Sequence, residues 1–173
     1  FDERFRDYMI ETTKHAMLVG FRVVYGYTQS DEISLLLPPD EETFSRRRRK
    51  LLSVLAGEAS ARFSLLLGDV ACFDSRVVPL PDRQTIIDYF RWRNEDAHRN
   101  ALNAHCYWLK RKAGDSARAA SDALERMSTS DKNELLFKRA GTNFNELPAW
   151  QKRGTGLYWR SEEHTSELQS RSD

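Results

Sequence analysis

At 173 residues with 40% hydrophobic and 31% charged content, the chain can bury one core and is too short for two ordinary domains. Its formal net charge of +1 excludes a bulk polycation, so any attraction to nucleic acid must come from local patches. No apolar run reaches the length of a membrane span, and Cys72 and Cys106 lack a C-x-x-C partner, which argues against a zinc site or disulfide framework and for reduced, intracellular thiols.

In chain order, residues 1–18 read as an amphipathic helix leading into a hairpin over 21–37. The first apolar run of that hairpin is rich in Val and aromatics and the second in Leu and Ile, with Gly26, Gln29 and Ser30 between them. Asp31 is predicted where the second strand begins, with Glu32 on the opposite face. An acidic pair there suits magnesium, which takes one or two protein carboxylates and completes its octahedron with water and substrate phosphates. Asp31 is the predicted ligand and Glu32 a supporting acid. Two solvated acids at a hairpin tip satisfy the same pattern.

Pro38-Pro39 stops the strand, and Asp40, Glu41 and Glu42 suit the positive end of a helix predicted to run to about Gly68. Phe44, Leu51, Leu55, Ala59, Phe63 and Leu66 form its apolar stripe. At its front lies Arg46-Arg-Arg-Arg-Lys50, in which Arg48 falls in line with the stripe and needs an anion or a way out to solvent. Such a run is either a solvated polybasic surface or a cradle for phosphate. Residues 70–79 are expected to form a strand with Asp74 and Arg76 on one face, where they could pair, and Phe73 and Val77 on the other. Asp82 then caps a helix over 83–111. Its predicted polar stripe is Arg93, Asp96, Asn100 and Asn103, and its apolar stripe Ile86, Phe90, Ala97, Ala101 and Trp108. A further Ala- and Leu-rich helix begins near Ser116. Ser128 to Asp131 cap another that Gly141 closes, and 142–158 is expected to be extended.

Five blocks occur in order: Tyr25-Gly-Tyr-Thr-Gln-Ser-Asp-Glu32, Phe73-Asp-Ser-Arg-Val-Val78, Tyr89-Phe-Arg-Trp-Arg-Asn-Glu-Asp-Ala-His98, Lys132-Asn-Glu-Leu-Leu-Phe137 and Gly141-Thr-Asn-Phe-Asn-Glu-Leu-Pro148. Together they resemble the tRNA-histidine guanylyltransferase family and its bacterial and archaeal relatives, the 3′-to-5′ polymerases that repair tRNA 5′ ends. The resemblance implies an α+β, polymerase palm-like (ferredoxin-like) antiparallel sheet with helices packed on one face. It also implies a magnesium-dependent nucleotidyltransferase acting on tRNA with ATP, GTP or other NTPs, assembled as a homotetramer (a dimer of dimers) in the cytoplasm. In a polymerase palm the position of Asp31 carries a metal-binding carboxylate. Ser30 and Asp31 would contact the nucleotide, while Arg46, Arg47 and Lys50 match a phosphate-handling Arg-Arg-x-x-Lys arrangement and Arg76 a family arginine near the triphosphate. Asp31, Glu32 and His98 would serve catalysis, with His98 a phosphate or tRNA-end contact. Asp96, Asn100, Asn103 and Lys132 would touch tRNA or nucleotide. Eukaryotic members continue as His-Ile-Asn-Asn-Leu-Tyr-Asn, whereas this chain has Ala101 and Ala104 at two of those asparagines. That departure resembles the branch that adds nucleotides opposite a template.

In that family a strand bearing Arg-x-Asp-Gly-Arg precedes the first helix and supplies the other metal carboxylate. No such motif is present here. The chain is therefore expected to be a fragment of the catalytic domain, over 1–159, in which one of two magnesium sites' protein ligands is missing and metal and nucleotide bind poorly. A single-G guanylyltransferase and a silent RNA-binding module are the competing expectations. The polar, aperiodic residues 160–173 look like translated sequencing adapter and are left out of the fold. They carry two basic and four acidic residues, so the remainder has a net charge of +3.

Overall fold

The computed structural model describes residues 1–162 and 165–171. The chain divides into two compact units, 1–86 with the segment from 154 onward, and 87–153. Each has its own apolar cluster, where composition had suggested one core.

In the first unit, α1 (Glu3–Leu18) starts on Asp2, whose carboxylate accepts from the Arg4 and Phe5 amides at 2.8 and 3.4 Å and so satisfies two orphan donors of the first turn. Thr12 and Thr13 are fully buried. Burial is tolerable because each hydroxyl donates 2.7 Å to the carbonyl one turn back, on Tyr8 and Met9. The chain then forms β1 (Tyr25–Gln29) and β2 (Glu32–Leu36), an antiparallel pair closed by the two-residue loop Ser30-Asp31. The hairpin predicted over 21–37 is present. Strands β3 (Thr155–Glu162) and β4 (Thr165–Arg171) complete an antiparallel sheet of order β2-β1-β3-β4. Thus the tail set aside on composition lies on this sheet. Backbone ladders need only unpaired N–H and C=O groups, so a polar, aperiodic segment can join one.

Gly26 explains how closely α1 meets the sheet. A methyl group there would stand 2.8 Å from the Met17 sulfur and 3.0 Å from Thr13 Cγ2. Met17, Phe21, Val23 and Leu157 close the core beneath, joined by half-buried Leu51, Val54 and Leu55 from the next helix.

That helix, α2, spans Arg48–Leu67 and ends on left-handed Gly68. It begins later than the acidic run at 40–42 suggested. Phe44, Ser45 and Arg46 intervene in a left-handed turn, with φ of 55°, 53° and 54°. Phe63 on α2 is buried, with Phe5, Tyr8 and Phe73 packed edge-on around it. Burying such a ring is worth roughly 1.5–3 kcal/mol.

Residues 70–79 are not a strand. The predicted alternation is real, since Ala71, Phe73, Ser75 and Val77 turn inward and Cys72, Asp74, Arg76 and Val78 outward. The segment lies along α2 instead of a ladder partner. Ser64 Oγ both accepts from the Ala71 amide and donates to its carbonyl, Ser60 Oγ accepts from the Phe73 amide, and Ser75 Oγ donates to the Leu52 carbonyl. Serines one helical turn apart thus replace a neighbouring strand.

In the second unit, helix α3 (Arg83–Lys112), which starts in the first, matches the predicted 83–111 and is opened by Asp82 accepting from the Thr85 amide at 2.8 Å. Two of its faces are reassigned. Arg93 is only 5% exposed, in line with buried Ala97 and Ala101 at intervals of four, while Trp108 is 59% exposed. Arg93 therefore belongs to the inward stripe, its guanidinium carbon 5.3 Å from the Trp92 ring centre. Helices α4 (Ala117–Glu125) and α5 (Thr129–Ala140) follow. The predicted cap of α5 is a full capping box between Ser128 and Asp131, and left-handed Gly141 ends the helix. Ala101, Leu102, Cys106, Leu124, Leu136 and Phe144 form the second core. Residues 142–158 are not simply extended. They hold a 3-10 turn at Phe144–Glu146, the short helix α6 (Ala149–Arg153) and the start of β3.

The architecture is α+β, an antiparallel sheet with helices, as predicted. Among the described residues no helix is long and apolar enough to cross a membrane.

Candidate functional site

Asp31 does not begin β2. It occupies the hairpin loop with Ser30, one residue earlier than the alternation implied, and both side chains are exposed. Ser30 takes a left-handed φ of 53°, the backbone twist that a two-residue antiparallel loop demands. Glu32, also exposed, is the first residue of β2. Thr28 helps fix the tip by donating its hydroxyl to the Glu32 carbonyl at 3.0 Å. The pair is thus mounted on a hairpin whose tip is tied by a hydrogen bond. Among the described residues no three His, Cys, Asp or Glu side chains converge as a metal nest.

In the same unit, all five side chains from Arg46 to Lys50 are exposed, so Arg48 has its way to solvent. Arg47 is the N-cap of α2, and the first turn contains no acid. Cations crowded onto the positive end of a helix oppose its dipole, and the natural complement is an anion. Arg46 differs from its neighbours, because its Nη1 donates to the backbone carbonyls of Pro39 and, at 3.2 Å, of Glu41. Lys50 lies 5.9 Å from the Phe44 ring centre, and Phe44 packs edge-on against Phe21. Arg76 and Asp74 are both exposed on the extended segment.

Glu41 was read only as part of an acidic helix start. The residue is instead 8% exposed, with Oε2 accepting from the Arg22 amide at 2.5 Å and Oε1 from the Thr43 amide at 2.7 Å. Hydrogen bonds from the Thr43 side chain and amide, then from Arg22, lower its pKa from 4.5 to about 2. A folded-state pKa below the unfolded value means that the contribution is complete above about pH 4.5 and fades as pH falls toward 2. Thermal melts are accordingly expected to show the gap between the chain and its Glu41→Gln variant narrowing over that window. A gap that stays constant from pH 6 to 2.5 would contradict this.

In the second unit the predicted residues separate into three places. Asp96 accepts from Asn100 Nδ2 and pairs with Arg99, each at 3.1 Å, along one surface of α3. Asn103 and Lys132 share a cleft of about 320 Å³ with Tyr107, Ser121, Asp122 and Glu125. His98 is half-buried, its ring 5.1 Å from Phe144 and edge-on to it. Desolvation first, and then the charges of Arg153 and Lys152, lower its pKa, which favours a neutral imidazole at pH 7. The neighbouring Arg153 Nη1 donates to Asn94 Oδ1 at 2.9 Å, and Asn94 Nδ2 returns a bond to the Arg153 carbonyl at 3.1 Å. No local pattern could have joined these two residues.

Comparison with known proteins now decides the family. The profile described as "tRNAHis guanylyltransferase" matches residues 1–81, and that described as "Thg1 C terminal domain" matches residues 84–173. The chain belongs to the tRNA(His) guanylyltransferase family. A probable tRNA(His) guanylyltransferase of Drosophila melanogaster is 37% identical over 152 residues, which are 82% of this chain and 53% of the fly protein. The enzyme of Candida glabrata is 33% identical over 89% of this chain and 70% of its own length. Among solved structures, the tRNA(His) guanylyltransferase of Saccharomyces cerevisiae superposes with a TM-score of 0.81 at 26% identity, covering 98% of this chain and 78% of the yeast chain. A bacterial tRNA(His) guanylyltransferase-like protein in complex with ATP gives 0.79 at 25% identity, covering 99% and 74%. The palm-like fold expected from the resemblance is therefore that of the family. The chain spans about half the length of its fly relative. Members of the tRNA(His) guanylyltransferase family are nucleotidyltransferases acting on tRNA, the class read from the five sequence blocks.

Proposed function

We propose that this chain carries the catalytic unit of a nucleotidyltransferase that adds nucleotides to the 5′ end of tRNA in the 3′-to-5′ direction, opposite a template. The observation that carries the reading is an exposed carboxylate, Asp31, on the tip of a sheet-borne hairpin in the same unit as an exposed run of five cations at an acid-free helix start. One carboxylate with water and substrate phosphates fits magnesium, whereas a closed protein cage does not fit the described residues. Asp31 would hold Mg2+, with Glu32 beside it. When bound, the metal supplies positive charge against the triphosphate.

The chain's own residues do the rest. Ser30 contacts the nucleotide at the tip, and Arg47, Lys50 and Arg76, with the charge of Arg46, oppose the phosphates. Neutral His98 is a hydrogen-bonding contact for a phosphate or the tRNA end. Asn103 and Lys132 in their cleft, and Asp96 and Asn100 on the α3 surface, face RNA or nucleotide. In the reaction the tRNA 5′ end is activated with ATP, the 3′-hydroxyl of the incoming nucleotide attacks it, and the activating group leaves. A homotetramer, built as a dimer of dimers and working in the cytoplasm, is the assembly that this reading carries with it.

Templated addition is favoured over single-G addition by the α3 segment. Ala101 is 1% exposed within the second core, so that position offers no amide to a substrate. The fly and yeast relatives, as tRNA(His) guanylyltransferases, favour the single-G reading. The chain, extended by the family's Arg-x-Asp-Gly-Arg strand, is to be given ATP, each NTP in turn and tRNAs lacking the 5′ nucleotide opposite each template base. Incorporation of each complementary nucleotide is expected. Addition of G alone, whatever the template, would select the guanylyltransferase, and no incorporation would leave an RNA-binding module.

A further inference from the structure

We propose that Glu41 is a positioning residue for nucleotide polyphosphate, acting as a clamp that fixes the left-handed turn from which Arg47 and Lys50 project. The inference rests on the reading of those two side chains as phosphate contacts. Three successive non-glycine residues at φ of 53–55° are an unusual run, each unfavourable because Cβ crowds the following carbonyl. Something must hold them. On the upstream side, each Glu41 oxygen accepts one backbone N–H, from Arg22 and from Thr43, so a single carboxylate crosslinks the entry to the hairpin with the start of the turn. Downstream, Arg46 folds its guanidinium back onto the Glu41 carbonyl and Phe44 rests on Phe21. The turn leaves Arg47 with φ −66° and ψ 106°, extended backbone at the N-cap of α2. From there Arg47 and Lys50 reach solvent at the helix end.

The clamp requires two acceptor oxygens. Glutamine offers one, and its NH2 would face a backbone donor, whereas aspartate keeps both on a stem shorter by one methylene. Binding of inorganic tripolyphosphate to the full 173-residue chain is to be measured by titration calorimetry for the native sequence, Glu41→Gln, Glu41→Asp, the Arg47→Ala/Lys50→Ala pair and that pair combined with Glu41→Gln. Glu41→Gln is expected to weaken binding about tenfold, within the range of couplings between cooperating residues, with Glu41→Asp in between. In the Arg47→Ala/Lys50→Ala background it should have no further effect, and the salt dependence should already be flattened by Glu41→Gln alone. An unchanged affinity in Glu41→Gln, or the same loss in both backgrounds, overturns the clamp and spares the phosphate reading. No binding by the native chain even at millimolar tripolyphosphate, where weak binding still registers, or an unchanged affinity in Arg47→Ala/Lys50→Ala, overturns the phosphate reading itself. If Glu41→Gln fails to fold by circular dichroism, the same cycle with Glu41→Asp decides, with about threefold as the expected effect.

Discussion

Asp31→Ala is expected to reduce 5′ nucleotide addition by about 100-fold or more, the scale at which removing a principal electrostatic contact to a transferring phosphate is felt, while leaving the melting temperature within a degree or two. The two halves of that expectation come from the same geometry. The side chain stands exposed in a two-residue loop, and neither the sheet ladder nor a core contact depends on it. Surface substitutions of this kind change stability by about 0.5 kcal/mol or less. Asp31→Asn keeps the shape and removes the charge, so it should be nearly as inactive. Glu32→Ala should fall between, since Glu32 is a strand residue one position further from the tip. The assay is templated extension of a tRNA lacking its 5′ nucleotide, in the chain carrying the additional family strand. Extension undiminished by Asp31→Ala would remove the basis of the proposed chemistry.

The second large effect is structural. Gly154→Ala is expected to destabilise the first unit by about 2–5 kcal/mol, combining a left-handed backbone with overpacking against rigid neighbours. Its φ is +74°, and a Cβ would lie 2.7 Å from both the Thr28 carbonyl oxygen and the Tyr27 hydroxyl and 2.9 Å from Gln29 Cβ. The first of these is backbone within the β1 ladder, so it cannot rotate away. For a chain of this size the drop in melting temperature should be on the order of 10 °C. Gly20→Ala is the matched control. Its φ is +91° but nothing lies within 4 Å of the added methyl, leaving the backbone cost alone. Equal shifts for the two variants would show that the close approach to Thr28 does not matter.

Much of the fold was legible because it is encoded locally. The hairpin announced itself through two apolar runs around a turn, α3 through its Asp82 cap and long periodicity, and α5 through Ser128, Asp131 and Gly141. The candidate site residues Asp31 and Arg46 to Lys50 were singled out by type, spacing and the family resemblance, and all of them are exposed. What escaped did so for nameable reasons. Residues 70–79 alternate like a strand, yet period two shows only which side faces inward, and the inward side here meets serines of α2. Arg93 counted as polar by chemistry although its spacing from Ala97 and Ala101 put it on the buried face. The acids at 40–42 resembled a helix start, while Glu41 in fact reaches back to Arg22.

Composition, capping residues and the ordered motif blocks were sufficient to determine the α+β class, most helix limits and the family, since each depends on interactions spanning only a few residues or on residue identity. The left-handed turn before α2, the joining of Asn94 to Arg153 and the closeness of Gly154 to Thr28 were decided by the tertiary structure alone. Each requires segments far apart in the chain to meet, and a hydrogen bond or steric contact of that kind leaves no period in the sequence that contains it.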